Sequence, residues 1–176
     1  MTARLANPAV VDSDGSHTYA DILSRALELC TAIEAAAGPM PPHAGQHRIA
    51  YLAPRRHTYV AAKCATWLYG GIGVPLAEGY PGDELEYVLT DSGASAVLVD
   101  PSLKSQVAAV AEKLRLPLIE IPPAGSGAPA PVDAERVKSR VLTAISGRCP
   151  SDGAYFVYTS GTTGRVRRGL EAWRAV

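Results

Sequence analysis

With 176 residues, 17 Lys plus Arg against 17 Asp plus Glu, and 47% hydrophobic residues, the chain has the makings of one globular domain and no net charge. That length supports a real core, and the balance removes the positive field that gathers nucleic acid or an anionic membrane surface. Cys30, Cys64 and Cys149 are odd in number and far apart, with no CxxC pair, so they indicate neither a zinc site nor a disulfide framework and fit a reducing compartment.

The longest uncharged, apolar-leaning run, Cys64 to Ala77, is interrupted by Gly and Pro and is too short to span a membrane. Met1 to Val11 carries one Arg and no acid but lacks the length and repeated Arg/Ser pattern of an organellar presequence. The expected compartment is the cytoplasm or the mitochondrial matrix.

Val10-Val11 followed by Asp12-Ser13-Asp14-Gly15 reads as a short strand and a turn. The two acids lack the alternating oxygen ligands and the distant Glu of a calcium loop, so the plain turn is preferred. Thr18 with Asp21 three residues later forms a variant capping box, and Ile22, Ala26, Leu29, Cys30 and Ile33 recur at helical spacing up to Gly38-Pro39. Cys30 falls on the apolar stripe and is expected in the core. His43 and His47 stand four apart in a Pro-rich loop without a third ligand and read as solvated surface histidines.

Arg48 to Ala53 is a strand ended by Pro54, and Tyr59 to Tyr69 a helix with Val60, Cys64, Trp67 and Leu68 along one side. Gly70 to Leu76 has several glycines, but the third position of a dinucleotide fingerprint is Leu76 and no helix opens there; a tight turn and a short buried strand are expected. Pro81 at a first helical position, early acids Asp83, Glu84 and Glu86, and Leu85, Val88 and Leu89 on one face predict a helix ended by Ser92-Gly93. A strand follows over Ser95 to Val99. Asp100-Pro101 then opens a helix with Leu103, Val107, Val110 and Leu114, before a strand over Pro117 to Ile121. Pro122 to Pro131 is a linker and Asp133 to Ile145 a further helix. The alternation predicts an α/β fold, a mainly parallel sheet flanked by helices.

Ala154 to Tyr158 is an apolar strand feeding Thr159-Ser160-Gly161-Thr162-Thr163-Gly164, where two glycines permit close backbone approach and successive N–H groups and hydroxyls suit a polyphosphate. A Walker A loop is excluded, since its Gly-Lys-Ser/Thr and spacing are absent. On the residues alone, an ordinary turn and a phosphate loop both remain open.

The string Tyr158 to Arg165 resembles, residue for residue, the signature of the AMP-forming adenylating superfamily, which includes the acyl-CoA synthetases. His17-Thr18-Tyr19, Gly70 to Leu76, and Pro81 to Ser92 are similar to the N-terminal region of those synthetases, with wording closest to the malonyl-CoA synthetase-like branch. The resemblance implies an incomplete N-terminal domain of the acyl-CoA synthetase fold. It also implies that Thr159, Ser160, Gly161, Thr162, Thr163 and Gly164 grip the β- and γ-phosphates of ATP, with Mg2+ on the phosphates, a small-molecule carboxylate, malonate or a fatty acid, as acyl donor and CoA as acceptor.

The resemblance runs from about Val10 to Arg165, within an expected domain portion of residues 1–165, and stops abruptly. Val166, Arg167 and Arg168 stand where the family has Pro, Lys and Gly, and residues 166–176 read as an unrelated basic tail, with Leu170, Trp173 and Val176 on a weak helical stripe. The family's adenine pocket, acidic metal-binding segment, acyl pocket and catalytic C-terminal domain have no counterpart, so the expectation is an N-terminal fragment with no catalytic residue of its own. The strand Ala154 to Tyr158 is expected to keep an uncovered face or edge. Three readings stay open: a ligase whose missing pockets come from another chain; a non-catalytic module that holds a nucleotide or pairs with a full-length synthetase; and a fragment without function.

Overall fold

The structure, a computed structural model, describes residues 2–40, 46–122, 134–146, 152–159 and 167–172. A short helix α1 (Thr2–Leu5) precedes the antiparallel hairpin β1 (Pro8–Asp12) and β2 (Gly15–Thr18), followed by α2 (Tyr19–Ala37). Next come β3 (Arg48–Leu52), α3 (His57–Tyr69), β4 (Ile72–Pro75), α4 (Gly82–Ser92), β5 (Ala94–Val99), α5 (Lys104–Lys113) and β6 (Leu118–Glu120). Helix α6 (Ala134–Ile145) and the strands β7 (Gly153–Thr159) and β8 (Arg167–Ala172) complete the described elements.

Six strands form one sheet in the order β6-β5-β3-β4-β7-β8, every neighbouring pair parallel except the last, β7 with β8. The expected α/β architecture with a mainly parallel sheet is therefore the one observed. Strand alternation divides the core. Ile49, Tyr51, Ala96 and Leu98 face α2 and α3, where they meet Leu29, Cys30, Ile33, Ala61, Ala65 and Leu68. Ala50, Leu52, Val97 and Val99 face the opposite way, onto Leu85, Val88 and Leu89 of α4 and Val107 of α5. Because both faces are covered, β3 is apolar or aromatic from Ile49 to Leu52 and β5 apolar from Ala96 to Val99, and each fully buried Leu or Val contributes about 1.5–3 kcal/mol of transfer free energy.

The capping box closes as read: Thr18 Oγ1 accepts the Asp21 N–H at 3.2 Å, and Asp21 Oδ2 accepts the Thr18 N–H at 2.8 Å. Cys30 is fully buried, and loss of hydration pushes its thiol pKa up to about 11. His47 is not simply solvated, as its sequence suggested; its Nδ1 donates to the Tyr69 hydroxyl at 2.6 Å, and that hydroxyl donates to Gly38 O at 2.7 Å. His43, Cys149 and most of the linker, 123–131, lie outside the described residues.

Several boundaries move for identifiable reasons. Helix α3 begins at His57, two residues before the apolar pattern, because the His57 N–H is accepted by Asp12 Oδ2 at 2.8 Å. Its cap thus comes from the hairpin, 45 positions away, which no local pattern reveals. Pro81 is the N-cap of α4 and not its first helical residue. Asp100 caps a single 3-10 turn, Pro101–Leu103, so α5 proper starts only at Lys104.

The C-terminal segment departs furthest from its pattern. Arg167–Ala172 is a strand, so Leu170 of the weak stripe is not helical; Trp173 and Val176 lie outside the described residues. Pairing from Gly153↔Ala172 to Thr159↔Arg167 covers the edge of β7 that was expected to stay open.

Candidate functional site

Strand β7 delivers the motif. Along it Phe156 and Tyr158 enter the core beneath α4, while Tyr155 and Val157 turn toward the other face. Three contacts fix its position. The Tyr158 hydroxyl donates to Asp91 Oδ2 at 2.8 Å, Trp67 Nε1 donates to Ala154 O at 3.0 Å, and Gln46 Nε2 donates to Gly153 O at 3.0 Å. Lys63 Nζ lies 4.7 Å from the Trp67 ring centroid and 5.1 Å from that of Tyr155, so its charge is held by two π faces beside the strand. Thr159, the first expected phosphate ligand, is the exposed last residue of β7. Ser160, Gly161, Thr162, Thr163 and Gly164 lie outside the described residues.

A cleft of about 610 Å³ opens at this end of the sheet. Its floor is the C-terminal ends of three parallel strands, with Ala53 after β3, Pro75 and Leu76 at β4, and Val157 and Tyr158 on β7. Ligands of open α/β sheets bind beyond the carboxyl ends of their strands, where loops converge and backbone groups are free. Arg55 and Arg56 line the cleft together with Glu78. Arg56 is committed to Asp14, at 3.0 Å and 3.2 Å from its two carboxylate oxygens. Arg55 is exposed on the rim. For the Mg2+ that the family implies, the described lining offers one carboxylate, Glu78. Octahedral oxygen coordination needs more than that, and the residues described do not make a Mg2+ site.

One cluster beside the cleft was missed in the sequence. Asp12 accepts from the backbone N–H and Nδ1 of His57 at 2.8 Å and 2.9 Å, from the Asp14 N–H at 2.9 Å, and from His17 Nε2 at 3.1 Å. Burial works to raise the Asp12 pKa, but the His57 donors, then those of Asp14 and His17, outweigh it and hold the carboxyl well below the usual range. The residues are distant in sequence, and only the acidic turn hinted at them.

The fold, the strand and the cleft together define a member of the AMP-binding enzyme family, whose sequence profile matches residues 2–166; the chain belongs to that family. Among its relatives, the human mitochondrial malonate–CoA ligase ACSF3 is 36% identical over 163 residues, covering 90% of this chain and 27% of the relative. The Arabidopsis thaliana malonate–CoA ligase is 34% identical over 120 residues, 68% of this chain and 20% of the relative. The ATP-bound MatB structure from Rhodopseudomonas palustris superimposes with a TM-score of 0.68 at 26% identity, over 97% of this chain and 33% of that one. The chain thus spans about a quarter of the length of the curated relatives it matches. No helix among the described residues is long and apolar enough to cross a membrane.

Proposed function

We propose that this chain is the N-terminal, phosphate-gripping portion of an AMP-forming carboxylate–CoA ligase, with malonate as the acyl substrate and the mitochondrial matrix as its compartment. The observation that carries the reading is the placement of β7: a largely buried strand whose Val157 and Tyr158 line the cleft at the carboxyl ends of β3 and β4, and whose last residue is the exposed Thr159. The malonate–CoA ligase relatives supply the substrate class, and the mitochondrial names of the first of them supply the compartment.

In the reaction, a carboxylate oxygen attacks the α-phosphorus of ATP and pyrophosphate leaves; the CoA sulfur then displaces AMP from the acyl-adenylate. The part assigned to this chain is the first half of that sequence. Backbone N–H groups and hydroxyls of Thr159 to Gly164 hold the β- and γ-phosphates and stabilise the charge that develops as pyrophosphate departs. When bound, Mg2+ would neutralise phosphate oxygens, but this chain contributes no described ligand set for it. The chain spans about a quarter of the length of its malonate–CoA ligase relatives, and the other groups the reaction needs are assigned to the rest of that length.

Calorimetric titration with ATP tests the phosphate grip: binding is expected, and weakened at least about tenfold in Thr162→Ala. Fusing residues 1–165 in place of the matching quarter of a malonate–CoA ligase tests the rest. Malonyl-CoA formation supports the ligase reading, whereas ATP binding without turnover in the fusion assigns the chain to a nucleotide-binding module.

A further inference from the structure

The structure assigns a second site to this chain: we propose that Asp12, His17 and His57, with Asp14 as fourth ligand, bind a borderline divalent cation such as Zn2+. The site lies beside the cleft, and the proposal does not rest on the ligase reading.

Ligand atoms of the first three residues lie within 4.8 Å of one another, drawn from the hairpin and from the first residue of α3. The Asp12 carboxylate is 3.1 Å from His17 Nε2 and 2.9 Å from His57 Nδ1, and Asp14 Oδ2 is 3.9 Å from the same His57 nitrogen. Zinc bonds of about 2.0–2.1 Å to N and O place tetrahedral ligands roughly 3.3–3.4 Å apart, inside that range. Two imidazoles with two carboxylates favour Zn2+ or its neighbours over the all-oxygen preference of Ca2+ or Mg2+. The charges match, since two carboxylates neutralise the ion. Asp14 reaches it by exchanging its pairing with Arg56.

A second observation concerns His57 itself. Its side chain is 2% exposed, and Nε2 is buried with no hydrogen-bond partner. Buried polar atoms are ordinarily paired, so a ring with one unsatisfied nitrogen is out of place in a finished hydrogen-bond network. Without an ion the Nδ1 proton is held by Asp12; an ion takes the place of that proton on Nδ1, and the ring then carries its proton on Nε2.

The stacking of the two rings says which ligand moves. His17 and His57 have centroids 3.8 Å apart and planes inclined by 21°. One ion cannot lie in both ring planes at that inclination. His57 is walled in, so the ring that turns toward the ion is His17, the more exposed of the two at 15%, which gives up its hydrogen bond to Asp12. An occupied site would pin the hairpin to the N-terminus of α3, whose Arg56, Tyr59 and Val60 line the cleft.

The test titrates Zn2+ into the dialysed chain by calorimetry and records the visible spectrum with Co2+. One ion per chain and the absorption of tetrahedral Co2+ are expected, with Cys64→Ser unchanged. His17→Ala, a hairpin position, should keep the wild-type circular dichroism and weaken Zn2+ binding more than about 100-fold, beyond the 10–100-fold loss typical of removing a mere support of a ligand. His57→Ala should do the same where it folds; if it does not, His17→Ala decides alone. Unchanged affinity in His17→Ala, or a wild type that takes up no stoichiometric ion, overturns the proposal.

Discussion

The phenol of Tyr158 and the carboxylate of Asp91 meet at 2.8 Å, joining the last buried residue of β7 to the C-terminal turn of α4. The contact ties the strand that carries the signature motif to a helix that packs beneath it. Tyr158→Phe keeps the ring in the core and removes only the donor. Because Asp91 is exposed and rehydrates, the expected loss is about 1 kcal/mol, at the modest end for a bond to a charged group. Urea unfolding should show a lower midpoint with an unchanged slope.

Trp67 anchors the other end of the strand through its indole N–H on Ala154 O. Trp67→Phe keeps an aromatic face for Lys63 but leaves that carbonyl without its indole donor and the site with less apolar surface. A loss of about 1–3 kcal/mol is expected by chemical denaturation.

Gly153 is closely confined by its neighbours. A Cβ there would stand 2.8 Å from the Cδ1 atoms of both Ile72 and Leu170. Both are side-chain ends, so Ala is absorbed by small rotations, but Gly153→Val must wedge β4 and β8 apart. About 1–3 kcal/mol of destabilisation is expected, the usual range for overpacking. A thermal melt of the two variants beside the wild type separates the cases.

Asp21 makes the stability pH-dependent. Its pKa is lowered, first by the Thr18 N–H, which outweighs burial, and then by the Thr18 hydroxyl and the charges of His17 and Arg25. A carboxylate depressed in the folded state stabilises the fold above its unfolded value, about 3.9, and that contribution disappears as pH falls through the folded value. Asp21→Ala should therefore cost about 1 kcal/mol at neutral pH. The gap to wild type should close below about pH 4. Melting curves from pH 7 to pH 2 check the sign.

The central fold was legible because its signals are local. Thr18 with Asp21, Gly38, Gly93 and Asp100-Pro101 each mark a boundary by side-chain or backbone chemistry within four residues, and the continuous apolar runs of β3 and β5 announce strands covered on both faces. What stayed hidden depends on partners distant in sequence. Asp12 starts α3 from outside it, and Arg167–Ala172 becomes a strand only because β7 offers it an edge, against a helical stripe too weak to compete. The motif was readable by its wording, but the cleft it ends on is made by three strand ends that no window of sequence displays together. The Asp12 cluster required His57 to be brought beside a hairpin 45 positions earlier.

The two sides of β7 are unequally secured. Toward β4 its ladder registers only at Gly73↔Tyr155, whereas toward β8 it runs from Gly153↔Ala172 to Thr159↔Arg167. The β7–β8 ribbon is thus laid against the parallel strands along a seam, held there by the buried side chains of Phe156 and Tyr158 and by the hydrogen bonds of Trp67, Gln46 and Asp91. Amide protons of β7 that face β8 should outlast those at the seam in hydrogen exchange, since the ribbon can lift away whole before it unzips. The segment that carries the motif would then join and leave the sheet as one piece, and its attachment, more than its own conformation, would set how often the cleft is complete.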